Sequence, residues 1–205
     1  MIFVRGDFIM KKFINIVFIF LCIFIFSSCK INLNCVGQIK QRTLTKEETN
    51  VLKLMGLDDK SKIYDYNVDK AAKAIYVNLY FLDENLKWEN NGGIGANLDS
   101  FKGTIGILKD ESERLQVSLE EKNGISMFKS NSDLYLDADK KIRSIWWNDK
   151  ADIEHEKEIP LAIQVITKST KVMSFSGESF YEPERLKGHD AVIALTVKFS
   201  KNEIE

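Results

Sequence analysis

Cysteine is missing from the last 170 residues of this 205-residue chain; all three cysteines stand at positions 22, 29 and 35. A disulfide framework is thereby excluded for the body, which must hold together through an apolar core, and 44% hydrophobic residues suffice for one. Histidine is scarce too. His155 and His189 are the only two, which leaves general-base chemistry few candidates. Arginine is held to five against 24 lysines, and the formal net charge is −1. Bidentate phosphate and base contacts favour arginine, and a near-neutral chain has no field to draw in a polyanion, so nucleic acid is not an expected partner. Also lacking is an apolar run of the roughly 20 residues that a membrane-spanning helix needs. The longest, FINIVFIFLCIFIF, covers the 14 residues from Phe13 to Phe26.

That run follows Met10-Lys11-Lys12 and ends on Ser27-Ser28-Cys29. A positive start, an apolar middle and a small-residue exit are the three parts of an export signal. The segment resembles the signal peptide of bacterial lipoproteins, in which a cysteine directly after small residues receives a diacylglyceryl thioether and becomes the mature N-terminus. Phe26 departs from that pattern, which usually has an aliphatic residue there. Cys22 lies inside the apolar run as one more hydrophobe, and Cys35 follows Leu33-Asn34, which do not fit. The resemblance implies that residues 1–28 are removed and that Cys29 carries the lipid. It also implies the outer face of the cytoplasmic membrane, with the lipid bilayer as first partner. Two acyl chains, at about 0.8 kcal/mol per buried CH₂, anchor stably where one is marginal. Asp7 is an odd charge for such a start, so translation from Met10 is expected.

Residues 29–44 show no sustained period and read as a flexible tether to a single β domain over 45–205. Thr45-Lys46-Glu47-Glu48 fits a capping box, and Val51, Leu52 and Met55 follow at helical spacing. One short N-terminal helix near 46–55, packed on the domain by those three side chains, is expected. Beyond it the period changes to two. In AIYVNLYFL (74–82), Ile75, Val77, Leu79 and Phe81 alternate with Tyr76, Asn78 and Tyr80. Similar stretches occur at 101–109, 114–120, 124–130, 133–137, 141–147, 159–167, 171–176 and 191–200, separated by turn residues. Asn91-Gly92-Gly93-Ile94-Gly95 reads as a flexible loop after a short piece around Trp88, and the Glu182–Gly188 segment as a single helical turn. About nine short strands, with no internal repeat and no βαβ rhythm, predict an antiparallel β-sandwich or barrel.

Signals for chemistry are few. No G-x-S-x-G elbow or S-x-x-K pattern is present. His189, followed by Asp190, is the one residue on which a hydrolase triad could be built. Asp137 and Asp139 alternate but lack the glycine and later glutamate of a calcium loop, and NDKADIEHEKE (148–158) reads as a solvated acidic loop. No metal and no cofactor are expected. Aromatics are the remaining lead. Trp146 and Trp147 are adjacent on one strand, so alternation sends one ring to each face. An exposed ring, extended by Trp88, Tyr76 and Tyr80, could stack on a sugar or a peptide side chain; a covering loop would make it part of the packing instead.

The body further resembles the lipoproteins of low-GC Gram-positive bacteria that carry a small β domain. The expected role is a membrane-anchored, non-enzymatic surface lipoprotein that binds a protein, a peptide or a cell-wall glycan, with Trp88, Trp146 and Trp147 as candidate binding residues. The alternatives are a cell-envelope hydrolase using His189 and a passive subunit of an envelope complex.

Overall fold

Alternating apolar side chains build two antiparallel sheets in the computed structural model, which describes residues 36–110, 114–121, 124–130, 142–168 and 174–204. All of them belong to one unit, Cys35–Glu205. The strands are β1 (Gly37–Gln41), β2 (Ser61–Val68), β3 (Ala74–Leu82), β4 (Trp88–Asn97), β5 (Lys102–Lys109), β6 (Leu115–Glu121), β7 (Gly124–Lys129), β8 (Ile142–Trp147), β9 (Lys150–Ile153), β10 (Ile159–Thr167) and β11 (Ala191–Ser200). Six of them pair in the order β7-β6-β5-β2-β1-β9, and five in the order β4-β3-β11-β10-β8. The arrangement is sandwich-like and not a closed barrel. Eleven strands stand where about nine were expected.

The main core lies between the sheets. The six-stranded sheet sends in Ile39, Tyr64, Ile105, Val117 and Leu119, and the five-stranded sheet sends in Ile75, Val77, Leu79, Leu195 and Phe199. The chain passes between the sheets at Asn148, where β8 of one sheet leads into β9 of the other. A buried tyrosine fastens this corner: the Tyr64 hydroxyl donates toward the Asn148 carbonyl at 2.8 Å and lies 3.2 Å from that of Leu161.

A second apolar cluster covers the outer face of the five-stranded sheet. Helix α2 (Glu178–Tyr181) and the 3₁₀ turn Pro183–Leu186 lay Phe180 and Leu186 over Ile163, Val165, Val192 and Ala194. Strand β10 is therefore buried along its whole length, and its sequence IPLAIQVIT is nearly continuous in apolar residues because both its faces are dry. Pro160 sits beside a register shift near the start of that strand, a position where a missing N–H is tolerated.

Four expectations need correction. The tether reading of 29–44 fails at Gly37–Gln41, which form β1 between β2 and β9; five residues with one buried side chain, Ile39, are too short a run to show a period. Helix α1 (Lys46–Leu54) has the Thr45–Glu48 capping box but follows β1 and buries none of its residues. Val51, Leu54 and Met55 are 55, 89 and 64% exposed. The inner face of the adjoining sheet is already covered by the other sheet, and its outer face carries Arg42, Asp65 and Thr104, so the helix has no apolar surface to pack on. Residues 91–95 are not a loop but part of β4, an edge strand with a register shift opposite Asn78 and Tyr80, where glycine accommodates the irregularity. The acidic segment 148–158 supplies β9. Of the other expected strands, 133–137 and 171–173 lie outside the described residues, and 174–176 are irregular.

Candidate functional site

Tyr66 and Gly103 face each other across the β2–β5 pair, and both line the two clefts of this surface. A Cβ on residue 103 would lie 2.3 Å from the Tyr66 hydroxyl oxygen, so only glycine lets the phenol lie across β5. The ring packs on Phe199 of the opposite sheet, with centroids 5.2 Å apart. Tyr66 is only 5% exposed, yet its hydroxyl makes no hydrogen bond among the described residues. Burial, with a smaller contribution from Glu120, pushes its pKa up to about 12, so it stays protonated and able to donate.

Two clefts meet at Tyr66. The first, of about 360 Å³, is a slot at the mouth between the sheets. Ile75, Ala96, Leu98 and Leu119 give it an apolar floor, and Asp99, Ser100 and Lys102 stand at its rim. The second, of about 570 Å³, opens on the outer face of the six-stranded sheet. Register aligns its side chains in rows: Gln38 opposes Asn67, which opposes Lys102, and Lys40 opposes Asp65, which opposes Thr104. Tyr66, Lys102, Gly103 and Glu120 line both clefts. Both volumes fall in the range of roughly 300–1,000 Å³ usual for ligand pockets.

The charges of the groove are not alike. Asp65 is occupied: Arg42 Nε lies 3.0 and 3.1 Å from its two oxygens, and Arg42 Nη2 also donates to the Thr104 hydroxyl at 3.0 Å. Hydrogen bonding to Arg42 holds the Asp65 carboxyl below its ordinary range against the opposing effect of burial. The side chains of Lys102 and Glu120 are exposed and have no ion-pair or hydrogen-bond partner among the described residues. The site therefore offers a hydroxyl donor, two ammoniums (Lys40 and Lys102) and two carboxylates (Asp99 and Glu120) without partners among the described residues, around an apolar slot.

The tryptophans stand elsewhere. Trp147 packs against the main core and Trp146 against the second cluster, one to each face of β8. Trp146 lies beneath Gly177, where a Cβ would come within 2.6 Å of its ring. Trp88 stacks on Phe180 at 5.1 Å and donates its Nε1–H to the Phe180 carbonyl. All three rings are thus partly buried under the segment around α2 or in the core, and no joint aromatic platform is open. Tyr80 donates to Glu158, and Tyr76 lies under Lys198 at 5.1 Å.

His189 lines a separate cavity of about 120 Å³ with Asp83, Glu84 and Asp190. Both its ring nitrogens are buried without a hydrogen-bond partner, Asp190 accepts from the Lys168 amide, and no serine, threonine or cysteine lines that cavity. His155 places Nε2 3.0 Å from Asp69. Among the described residues no group of three or more His, Cys, Asp or Glu side chains is gathered as metal ligands; Asp137 and Asp139 lie outside them. No helix of the described residues is long and apolar enough to cross a membrane. Cys29 also lies outside the described residues. No family model, curated protein or solved structure matches the chain.

Tyr66, Lys102 and Glu120 were not legible as a site. The sequence holds a signal only in retrospect: SKIYDYNV alternates Tyr64, Tyr66 and Val68, and nothing in it says that a glycine of another strand lies opposite.

Proposed function

We propose that this chain is a lipoprotein, acylated at Cys29, that holds a non-enzymatic binding domain at the outer face of a cytoplasmic membrane and receives its ligand in the cleft at Tyr66. The observation that carries the binding reading is Tyr66, a residue only 5% exposed that lines two clefts at once and whose hydroxyl has no hydrogen-bond partner among the described residues. A ligand group seated there can accept its hydrogen bond. The anchoring reading rests on the n-region, the apolar run and Ser27-Ser28-Cys29.

Metabolic labelling with an alkyne fatty acid, followed by membrane fractionation, tests the anchor. Label and membrane retention should both be present in the wild type and both be lost in Cys29→Ala. Retention without label in the wild type would replace the lipid by an uncleaved anchor, and the location would have to be argued anew.

A further inference from the structure

Three candidate features lie outside the site's bare geometry: the buried His189, the exposed apolar side chains of α1, and the unassigned chemistry of the Tyr66 cleft. The cleft carries an inference furthest, because its groups differ in kind and their positions are fixed by strand register. It rests on the reading that this cleft is the ligand site.

The slot excludes two ligand classes. A pyranose ring is held by the face of an aromatic side chain, whereas Tyr66 turns its ring to Phe199 and shows only the hydroxyl. A phosphate calls for arginine or several cations. Here Arg42 is taken by Asp65, and the carboxylates of Asp99 and Glu120 offset the ammoniums of Lys40 and Lys102 and repel a dianion. What remains is a ligand with an apolar group, one single negative charge and one hydrogen-bond donor close together. An apolar cavity of roughly 150 Å³ already takes a benzene ring, so the 360 Å³ slot has room for an aliphatic side chain with its backbone.

We propose that the cleft binds the C-terminal residue of a peptide. Its aliphatic side chain enters the slot over Ile75, Leu98 and Leu119, its carboxylate accepts from Tyr66 Oη and Lys102 Nζ, and its backbone N–H donates to Glu120. The Gln38–Asn67 pair on the outer face then meets the preceding peptide groups, which amide side chains match in both donor and acceptor.

The test uses the full chain in lipid nanodiscs and fluorescence anisotropy of the N-terminally labelled peptide Gly-Ser-Gly-Leu with a free carboxylate. The free acid should bind, and its amide should bind at least about tenfold more weakly, the loss expected for a hydrogen bond to a charged group. Tyr66→Phe and Lys102→Met should each weaken the acid by about tenfold and leave the weak amide binding unchanged, while Lys102→Arg should restore most of the affinity. Lys168→Met, remote from the cleft, controls for general loss of positive charge.

Equal affinity for acid and amide overturns the proposal, as does wild-type affinity in both Tyr66→Phe and Lys102→Met. Decanoate binding that depends on Tyr66, with no peptide binding, reassigns the slot to an acyl amphiphile. A wall disaccharide that binds in a Tyr66-dependent way keeps the cleft as ligand site and overturns only the peptide. Silence toward every one of these probes removes the cleft reading as well, and leaves the Cys29 anchor to stand or fall by the labelling experiment alone.

Discussion

Asp110 shows how one residue can tie three strands. It follows β5, its Oδ2 accepts from Arg114 Nε at 2.8 Å, and Lys129 Nζ of β7 lies 3.0 Å from the same oxygen. Its Oδ1 accepts from the Arg114 amide at the start of β6. Burial raises its pKa, but the bonds to Lys129 and Arg114 outweigh this and hold it at about 2 against an ordinary 3.8. A carboxyl depressed on folding contributes stability above its unfolded pKa and loses it as pH falls through the folded one. The contribution of Asp110 is thus complete above about pH 4 and gone below about pH 2, and amounts to about 2 kcal/mol at most. Urea unfolding at pH 6, 4, 3 and 2 should show wild type more stable than Asp110→Asn at pH 6, with the difference closing between pH 4 and 2. A constant difference across that range would assign the effect to shape instead of charge. Gly103 is the other residue that decides its surroundings, since its missing side chain is what lets Tyr66 reach the cleft.

Among the elements, the segment from Gly177 to Leu186 makes the largest difference to what the surface offers. Phe180 fills the space between Trp88, Tyr80 and Tyr181, with centroids at 5.1, 5.9 and 5.4 Å. Tyr181 donates its hydroxyl to the Glu158 carbonyl, which fastens the segment at its far side. Without it, β8 and β10 would present Trp146, Ile163 and Val165 to water. Phe180→Ala should therefore cost about 3 kcal/mol or more and shift tryptophan emission to the red, whereas Tyr181→Phe should cost about 1 kcal/mol without a spectral change. Urea unfolding followed by tryptophan fluorescence measures both. An unshifted spectrum in Phe180→Ala would mean that the tryptophans are covered by something else. β3 was legible because its apolar residues alternate, and β11 because its apolar residues run on almost unbroken, both its faces being buried. β4, β1 and β9 were not, because glycine and asparagine in an edge strand, or five residues with a single buried side chain, carry no period. The helix α1 was legible from its cap, but its packing was not, since a cap reports on four backbone groups and says nothing of what lies beneath the helix.

For the whole molecule the decisive strand is the first. β1 inserts between β2 and β9, partners that lie far apart in the chain, and plants Ile39 in the main core at 1% exposure. A chain that begins at Val36 should unfold cooperatively in urea with intact near-ultraviolet circular dichroism. One that begins at Thr43 should lose that cooperativity, because β2 and β9 are left with unpaired backbone and a hole between them. If both versions unfold alike, β1 is an accessory and the domain begins at the helix after all. The sequence by itself determined the change from helical to two-residue period and the mainly β class, since each is a property of neighbouring residues. Which strands share a sheet, which tryptophan is covered, and that Tyr66, Gly103, Lys102 and Glu120 surround one cleft were decided only by tertiary structure. Strand pairing joins residues tens of positions apart, and no local pattern records the register in which they meet.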